Sequence, residues 1–382
     1  MNRLIVATGT WQIVLAASAL HQEKLDEGLV GRDYLVLSAP KLSNEMKQTM
    51  MQIASSIWNW QKIIWADDIL NSSMTISLAN LASFLRGFKE RISVANLAEL
   101  WLCKLTDKAE KIIAEAYPNS AIAIYEDGLH SYVPQEDWQL LDFNLLFKPK
   151  RFKYKLNHRI AEVKNDFNCL NKSSLCHKHI KRIKKAYFLL ADYLPLPKYL
   201  QPYYKAISKQ SVINALDTIN LSINIFDSRD FDQRGFLILG QCFSKWNLIS
   251  WEEEFNIYSQ IFSVVADLNL VPIWKEHPRE NRPFFPRLAQ NSAIAPVELS
   301  VHSAWPIELF AKQLNLQGCV SVTSTSLFNL KSLYEIPTYT IANELLNLFD
   351  GDFAYMTNLV ANHIPPLSSI NSLNTDNTIS IV

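Results

Sequence analysis

The sequence predicts an α/β protein: two Rossmann-like domains in tandem, each a parallel sheet covered by helices on both faces. Three observations carry this. A chain of 382 residues holds about two ordinary domains. Its apolar runs are short, β-branched and separated by longer stretches of helical period. The same alternation then restarts after about residue 210. Strands that are apolar throughout belong to parallel sheets, whose two faces are both buried.

In chain order, the first half offers strands at Leu4–Thr8, Tyr34–Ser38, Lys62–Ala66, Glu99–Lys104 and Ala121–Tyr125. Between them Trp11–Lys24, Asn44–Asn59 and Asp107–Tyr117 read as helices. In the second half Phe236–Gly240 is a strand, Trp251–Ala266 a helix and Val271–Lys275 a strand. Pro306–Asn315 is a helix, and Cys319–Thr323 and Pro337–Ile341 are strands. The stretch from Tyr187 to Ser211, with Pro195, Pro197 and Pro202, reads as a connector. The expected domains are therefore 1–205 and 206–365, followed by a polar tail rich in Ser, Asn and Thr at 366–382.

Hydrophobic residues make up 48% of the chain and charged residues 19%, which supports large cores and excludes disorder. Lys+Arg and Asp+Glu both number 37, so overall charge names no partner. Cys103, Cys169, Cys176, Cys242 and Cys319 are scattered and odd in number, which fits a reducing compartment better than a disulfide framework. Asn2-Arg3 and the apolar stretch to Leu20 have the outline of a leader. Gly9-Thr10-Trp11-Gln12 interrupts it, and no small-residue cleavage site follows. No apolar run reaches the roughly 18 residues of a membrane span. The expected location is the cytoplasm, with room for a peripheral contact on the inner membrane face.

Local charge is more informative. Between Lys148 and Lys185 lie thirteen Lys/Arg residues and two acids, Glu162 and Asp166. Ile180, Ile183, Tyr187 and Leu190 repeat there at helical spacing, with Lys178, Lys181, Arg182, Lys184 and Lys185 largely off that stripe. The expectation is a basic helical segment over 148–190, with one core face and one cationic face. Such a face is simply solvated, or it meets a polyanionic acceptor or an anionic membrane surface. Nucleic acid is not expected, because no recognition motif accompanies the charge. Cys169, Cys176, His177 and His179 match no standard zinc spacing.

Candidate chemistry lies at strand and helix ends, where parallel α/β sheets bind ligands. Ala121–Tyr125 ends in Glu126-Asp127-Gly128, two carboxylates suited to general-base work beside a turn glycine. Val271–Lys275 ends in Glu276-His277-Pro278-Arg279, whose histidine could protonate or hydrogen-bond a leaving phosphate. Ser324-Thr325-Ser326 opens an apolar helical pattern, a ready phosphate site. Glu308 follows Trp305-Pro306 at a helix start, where it could cap the helix or hold ribose hydroxyls. Phe236–Gly240 runs into Gln241, with Gly240 permitting close approach of a ligand. Plain alternatives stand beside each: an acidic turn, a turn histidine and a simple N-cap. The sequence holds no G-x-G-x-x-G, no phosphate-binding G-x-x-x-x-G-K-[ST] and no G-x-S-x-G, against dehydrogenases, P-loop NTPases and hydrolases. Asp230-Phe231-Asp232 and Asp350-Gly351-Asp352 match the D-x-D of metal-dependent transferases, but such triplets are common in turns, and no metal ligand is assigned.

Taken in order, Glu126-Asp127-Gly128, His277-Pro278 and Ser324-Thr325-Ser326 resemble the three short motifs of bacterial sialyltransferases of GT-B architecture. The Glu308-to-Ser324 spacing looks like that group's ribose- and phosphate-binding pair. Ala7-Thr8-Gly9-Thr10-Trp11-Gln12 and Leu239-Gly240-Gln241 look most like the polysialyltransferase branch. The resemblance spans roughly residues 1–345. It implies an acceptor-side domain at 1–205, a CMP-binding domain at 206–365, and inverting transfer from CMP-sialic acid or a related nine-carbon acid, with no metal or other cofactor. It makes Glu126 or Asp127 the base, with Glu126 favoured. His277 and Pro278 would meet the phosphate, Ser324, Thr325 and Ser326 would hold it, Gly240 and Gln241 would line the nucleotide site, and Glu308 would bind the ribose. Lys178, Lys181, Arg182, Lys184 and Lys185 would meet an anionic glycan or glycolipid acceptor. Transfer from another donor, CMP-Kdo or a UDP-sugar, and a non-catalytic polyanion- or membrane-binding role are the competing expectations.

Overall fold

The computed structural model describes residues 1–28, 31–38, 42–66, 86–87, 89–94, 96–103, 108–133, 179–223, 234–280, 282–299, 304–346, 349 and 351–370. The first body is built on strands β1 (Asn2–Ala7), β2 (Arg32–Leu37), β3 (Lys62–Trp65), β4 (Leu97–Leu102), β5 (Ala121–Tyr125), β6 (Ile183–Phe188) and β7 (Tyr204–Ala206). They form one sheet in the order β3-β2-β1-β4-β5-β6-β7, with every pair parallel. Helices α1 (Thr10–Glu27), α2 (Asn44–Ile57), α3 (Lys108–Ala116) and α4 (Lys209–Ser222) accompany it. α1 follows β1 directly and is buried from Gln12 to Leu20, which is why its sequence is apolar on almost every face.

The second body repeats the logic with β8 (Gly235–Leu239), β9 (Val271–Lys275), β10 (Val297–Glu298), β11 (Leu316–Ser321) and β12 (Thr338–Thr340), in the order β10-β9-β8-β11-β12, again all parallel. Its helices are α5 (Trp251–Asp267), α6 (Phe285–Asn291), α7 (Thr325–Tyr334), α8 (Ala342–Leu345) and α9 (Gly351–His363). A capping box starts α5: Ser250 Oγ accepts from the Glu253 N–H, and Glu253 Oε2 accepts from the Ser250 N–H. Met356, Leu359 and Val360 of α9, with Ile364 beyond it, join the core built on the first sheet. In each sheet the strand order reverses beside the first strand, between β1 and β4 and between β8 and β11. The crevices at these reversals are where open α/β sheets bind ligands.

Four expectations need correction. The stretch read as a basic helix runs as strand β6 over Ile183–Phe188, while 148–178 lies outside the described residues. Ile183, Ala186 and Phe188 are fully buried between β5 and β7, so the apolar residues serve a sheet and their helical spacing is coincidental. Two of its cations are internal. Arg182 donates to the carbonyl oxygens of Ala114, Tyr117 and Ser120, tying down the end of α3. Lys185 pairs with Glu23 and Glu99, in a buried network that includes Arg3 and Asp33. Lys181 and Lys184 are exposed, and Lys178 lies outside the described residues.

The proline-containing stretch is no connector either: it finishes the first sheet as β7, and α4 then packs on α1 and α2, so the first body extends past 205 to Ser222. Pro306–Asn315 forms one 3-10 turn, Ile307–Leu309, in place of a helix. The segment from Pro366 is not a loose tail at its start. Thr340 N donates to Pro365 O at 2.9 Å, and Leu367 and Ile370 are buried in the second core; 371–382 lies outside the described residues.

Candidate functional site

The carboxyl ends of β1, β5, β8, β9 and β11 converge on one cleft, with a cavity of about 410 Å³ lined by residues of both bodies. Asp127 and Gly128 come from the first; Gly240, His277, Glu308 and Thr325 come from the second. The two halves touch here. Leu129 N donates to Thr325 Oγ1 at 3.1 Å. Gly128 has φ +72°, and a Cβ placed on it would lie 2.4 Å from Thr325 Oγ1. The glycine of the acidic motif is thus required twice, for its backbone conformation and for the approach of the second body.

The two carboxylates diverge. Glu126 is fully buried, and Asp127 alone of the pair lines the cleft. Glu126 Oε2 accepts from Tyr132 Oη at 2.7 Å and from the N–H groups of Leu189 and Leu190 at 2.8 and 3.0 Å, so it fastens the turn after β5 to the turn after β6. Burial pushes its carboxyl up to about 7, against the lowering effect of those donors. Asp127 Oδ1 accepts from Gln12 Nε2, and its own N–H donates to Ser131 Oγ at 2.6 Å. The preference for Glu126 as the group facing the acceptor therefore does not match the geometry.

On the opposite wall, His277 Nδ1 accepts from the Arg279 N–H at 3.1 Å, with Cys242 Sγ at 3.3 Å. With Nδ1 occupied as acceptor, the proton of the neutral ring sits on Nε2. Desolvation, then the charges of Arg279, Lys275 and Lys245, push the imidazole down to about 3. Lys275 is buried at the cleft floor, its amine pushed down to about 8 by desolvation against the pull of Glu308 and Glu276. Glu308 is itself buried, and its Oε1 accepts from Asn329 Nδ2 at 2.7 Å.

Ser324 caps α7, its Oγ accepting from the Ser326 N–H at 3.2 Å. The start of that helix, with the hydroxyls of Ser324, Thr325 and Ser326, opens onto the cavity. Gly240 directly follows β8 and packs against Trp274, where a Cβ would lie 2.8 Å from Trp274 Cζ2. Gln241 Nε2 donates to Ser321 Oγ at 3.2 Å, joining the ends of β8 and β11. Pro278 also lines the cavity.

Sequence reasoning missed Lys275, Asn329 and the ring wall of Trp246 and Phe353. Asn329 was legible as the i+4 neighbour of Thr325 on one helix face. Trp246 and Phe353, whose centroids lie 5.2 Å apart, come from segments more than a hundred residues apart and carried no local signal. Among the described residues, no cluster of three or more His, Cys, Asp or Glu side chains is arranged to hold a metal ion, and no helix is long and apolar enough to cross a membrane. Asp230-Phe231-Asp232 lies outside the described residues.

Residues 3–343 match the profile of the alpha-2,8-polysialyltransferase (POLYST) family. The chain belongs to that family. It is accordingly a glycosyltransferase, with a nucleotide-sugar donor and a glycan acceptor. No curated protein matches it. Among solved structures it is similar to Phytolacca americana UGT2 complexed with UDP-2fluoro-glucose and pterostilbene, at TM-score 0.52 and 9% identity over 98% of this chain and 89% of that one. Methanocaldococcus jannaschii UDP-GlcNAc 2-epimerase matches at TM-score 0.51 and 12% identity, over 95% and 93% of the two chains. The GT-B domain of a Photobacterium damselae sialyltransferase matches at TM-score 0.47 and 12% identity, over 94% and 97%. At such identities the first two likenesses bear on the fold alone: two parallel sheets with helices, as in the plant UGT2 and the UDP-GlcNAc 2-epimerase.

Proposed function

We propose that this polysialyltransferase-family enzyme moves sialic acid from CMP-sialic acid to a hydroxyl of an anionic glycan, with inversion and without a required metal, so elongating polysialic acid. One observation carries the reading: a carboxylate of the first body, Asp127, shares a cleft with an imidazole and a hydroxyl-bearing helix start of the second, His277 and Ser324–Thr325. That is the disposition an in-line displacement needs, with the base on one side of the anomeric carbon and the leaving phosphate on the other.

The steps follow from the groups present. Asp127 takes the proton of the acceptor hydroxyl as its oxygen attacks the anomeric carbon of the donor sugar. The bond from that carbon to the CMP phosphate breaks, and the electron pair leaves with the phosphate oxygen. His277 Nε2–H, the start of α7 and the hydroxyls of Ser324 and Thr325 donate to the developing charge, with Lys275 and Arg279 adding positive field. Glu308, held by Asn329, accepts from the ribose hydroxyls. Glu126 acts beneath the site, fixing the turn that carries Asp127. Of the cations expected to meet the acceptor, Lys181 and Lys184 keep exposed charge for that role.

The test is transfer from CMP-sialic acid to an oligosialic acceptor in EDTA, followed by proton NMR of the sugar's C3 methylene protons, whose shifts report the configuration at the neighbouring anomeric carbon. Free CMP and a longer chain of inverted configuration are expected. Turnover of UDP-sugars alone, or turnover that EDTA abolishes, would contradict the proposal.

A further inference from the structure

The turn after β1 carries a residue that the proposed reaction leaves unexplained. Gln12 sits in the first turn of α1 and is 6% exposed, yet its side chain reaches from the first strand of the sheet to the end of the fifth. Both ends of its amide are committed. Thr8 donates to Gln12 Oε1 twice, through its backbone N–H and through Oγ1, the latter at 2.9 Å. Gln12 Nε2 then donates to Asp127 Oδ1. The amide cannot turn over, because a flipped NH2 group would face the Thr8 N–H. Its orientation is set by the backbone of the β1 end.

We propose that Gln12 is a positioning residue for the transfer reaction, holding the Asp127 carboxylate by one oxygen in the orientation that accepts the acceptor's proton. The inference rests on Asp127 being the base. An amide N–H aimed at one oxygen of a carboxylate limits rotation of the group. The Ser131 side chain fixes the Asp127 main chain, so backbone and side chain are pinned by different elements. Without Gln12 the carboxylate keeps its place in the chain but loses its aim, and a small misplacement of a catalytic group costs rate rather than substrate binding. Buried Glu126 and Tyr125 lie in the field of Asp127, and His130, Lys275, Glu276, His277, Arg279 and Glu308 line the same cavity.

The experiment compares wild type with Gln12→Leu, which deletes the donor, and Gln12→Glu, which keeps the shape and sets a carboxylate against a carboxylate. Initial rates are measured across pH with whichever donor the wild type turns over in a panel of CMP- and UDP-sugars. Failure of CMP-sialic acid in that panel would refute the donor assignment and leave the Gln12 comparison intact. For Gln12→Leu, kcat is expected to fall roughly 10–100-fold with donor KM within about twofold. For Gln12→Glu, the acidic limb of the kcat profile moves up by about one pH unit or more, so alkaline pH restores part of the rate. A purely structural role would raise donor KM or lower the folded fraction without moving that limb. Unchanged kcat and an unmoved limb in Gln12→Glu would overturn the proposal, whatever the folding of Gln12→Leu.

Discussion

Asp127→Asn is expected to lower kcat by roughly 10³-fold while leaving CMP affinity unchanged, because the base touches the acceptor and not the nucleotide. The neighbouring change should behave differently. Glu126 is sealed under the site, so Glu126→Gln should preserve more activity than Asp127→Asn and act on stability instead. The sign follows from linkage. Burial raises the Glu126 carboxyl to about 7 from an ordinary 4.5. The folded protein therefore holds this proton more tightly than the unfolded chain. The stability it contributes is complete below pH 4.5 and is lost as pH rises through 7. Glu126→Gln should flatten that decline by on the order of 2 kcal/mol between pH 5 and pH 8, read by urea denaturation. Glu276, also raised to about 7 by burial, contributes a slope of the same sign that the variant leaves in place. Abolished transfer in Glu126→Gln with full activity in Asp127→Asn would reverse the assignment of the pair.

The second large effect is His277→Ala, for which a roughly 10²–10³-fold fall in kcat is expected, the usual cost of removing one donor to a developing anion. The pH dependence sharpens it. In the free enzyme the imidazole is pushed down to about 3, so it is neutral throughout the working range. It then acts through Nε2–H as a hydrogen-bond donor, and a bound phosphate dianion would draw its proton affinity back up. The profile of kcat/KM, which reports the free enzyme, should show no limb near pH 6.5 that disappears in His277→Ala. Such a limb would mean that the histidine enters the reaction as a charged acid.

Much of this architecture was legible because parallel strands are written as uninterrupted apolar runs. β5 and β9 match their expected bounds, Ala121–Tyr125 and Val271–Lys275, and α1, α2, α3 and α5 fall where the helical period placed them. β6 was hidden for a physical reason. Lys184 and Lys185 read as a cationic face, and the partners that bring Lys185 inside, Glu23 and Glu99, lie 162 and 86 residues away in the chain. The end of the chain was misread similarly. Its Ser, Asn and Thr content reads as a loose polar tail from 366, but Pro366 bridges to Thr340 at the end of β12.

Within the site, the acidic motif, the His-Pro pair and the serine-threonine run were visible because strand ends and helix starts carry small and polar residues. Which carboxylate reaches the cleft was not. It depends on the turn at Gly128 and on the Leu189 and Leu190 amides that claim Glu126, and those directly follow a strand the sequence disguised. Gln12 was noticed only within the Ala7–Gln12 stretch that carries the resemblance, and its contact with Asp127, which spans 115 residues, left no local signal.

On the proposed reaction the cleft binds a cytidine nucleotide through its second-body wall. Isothermal titration of the wild type with CMP, with UDP as comparator and EDTA present, tests it most directly. Saturable CMP binding without metal, with far weaker binding of UDP, is the expected result. Equal or stronger binding of UDP, or no binding of either by demonstrably folded protein, would contradict it.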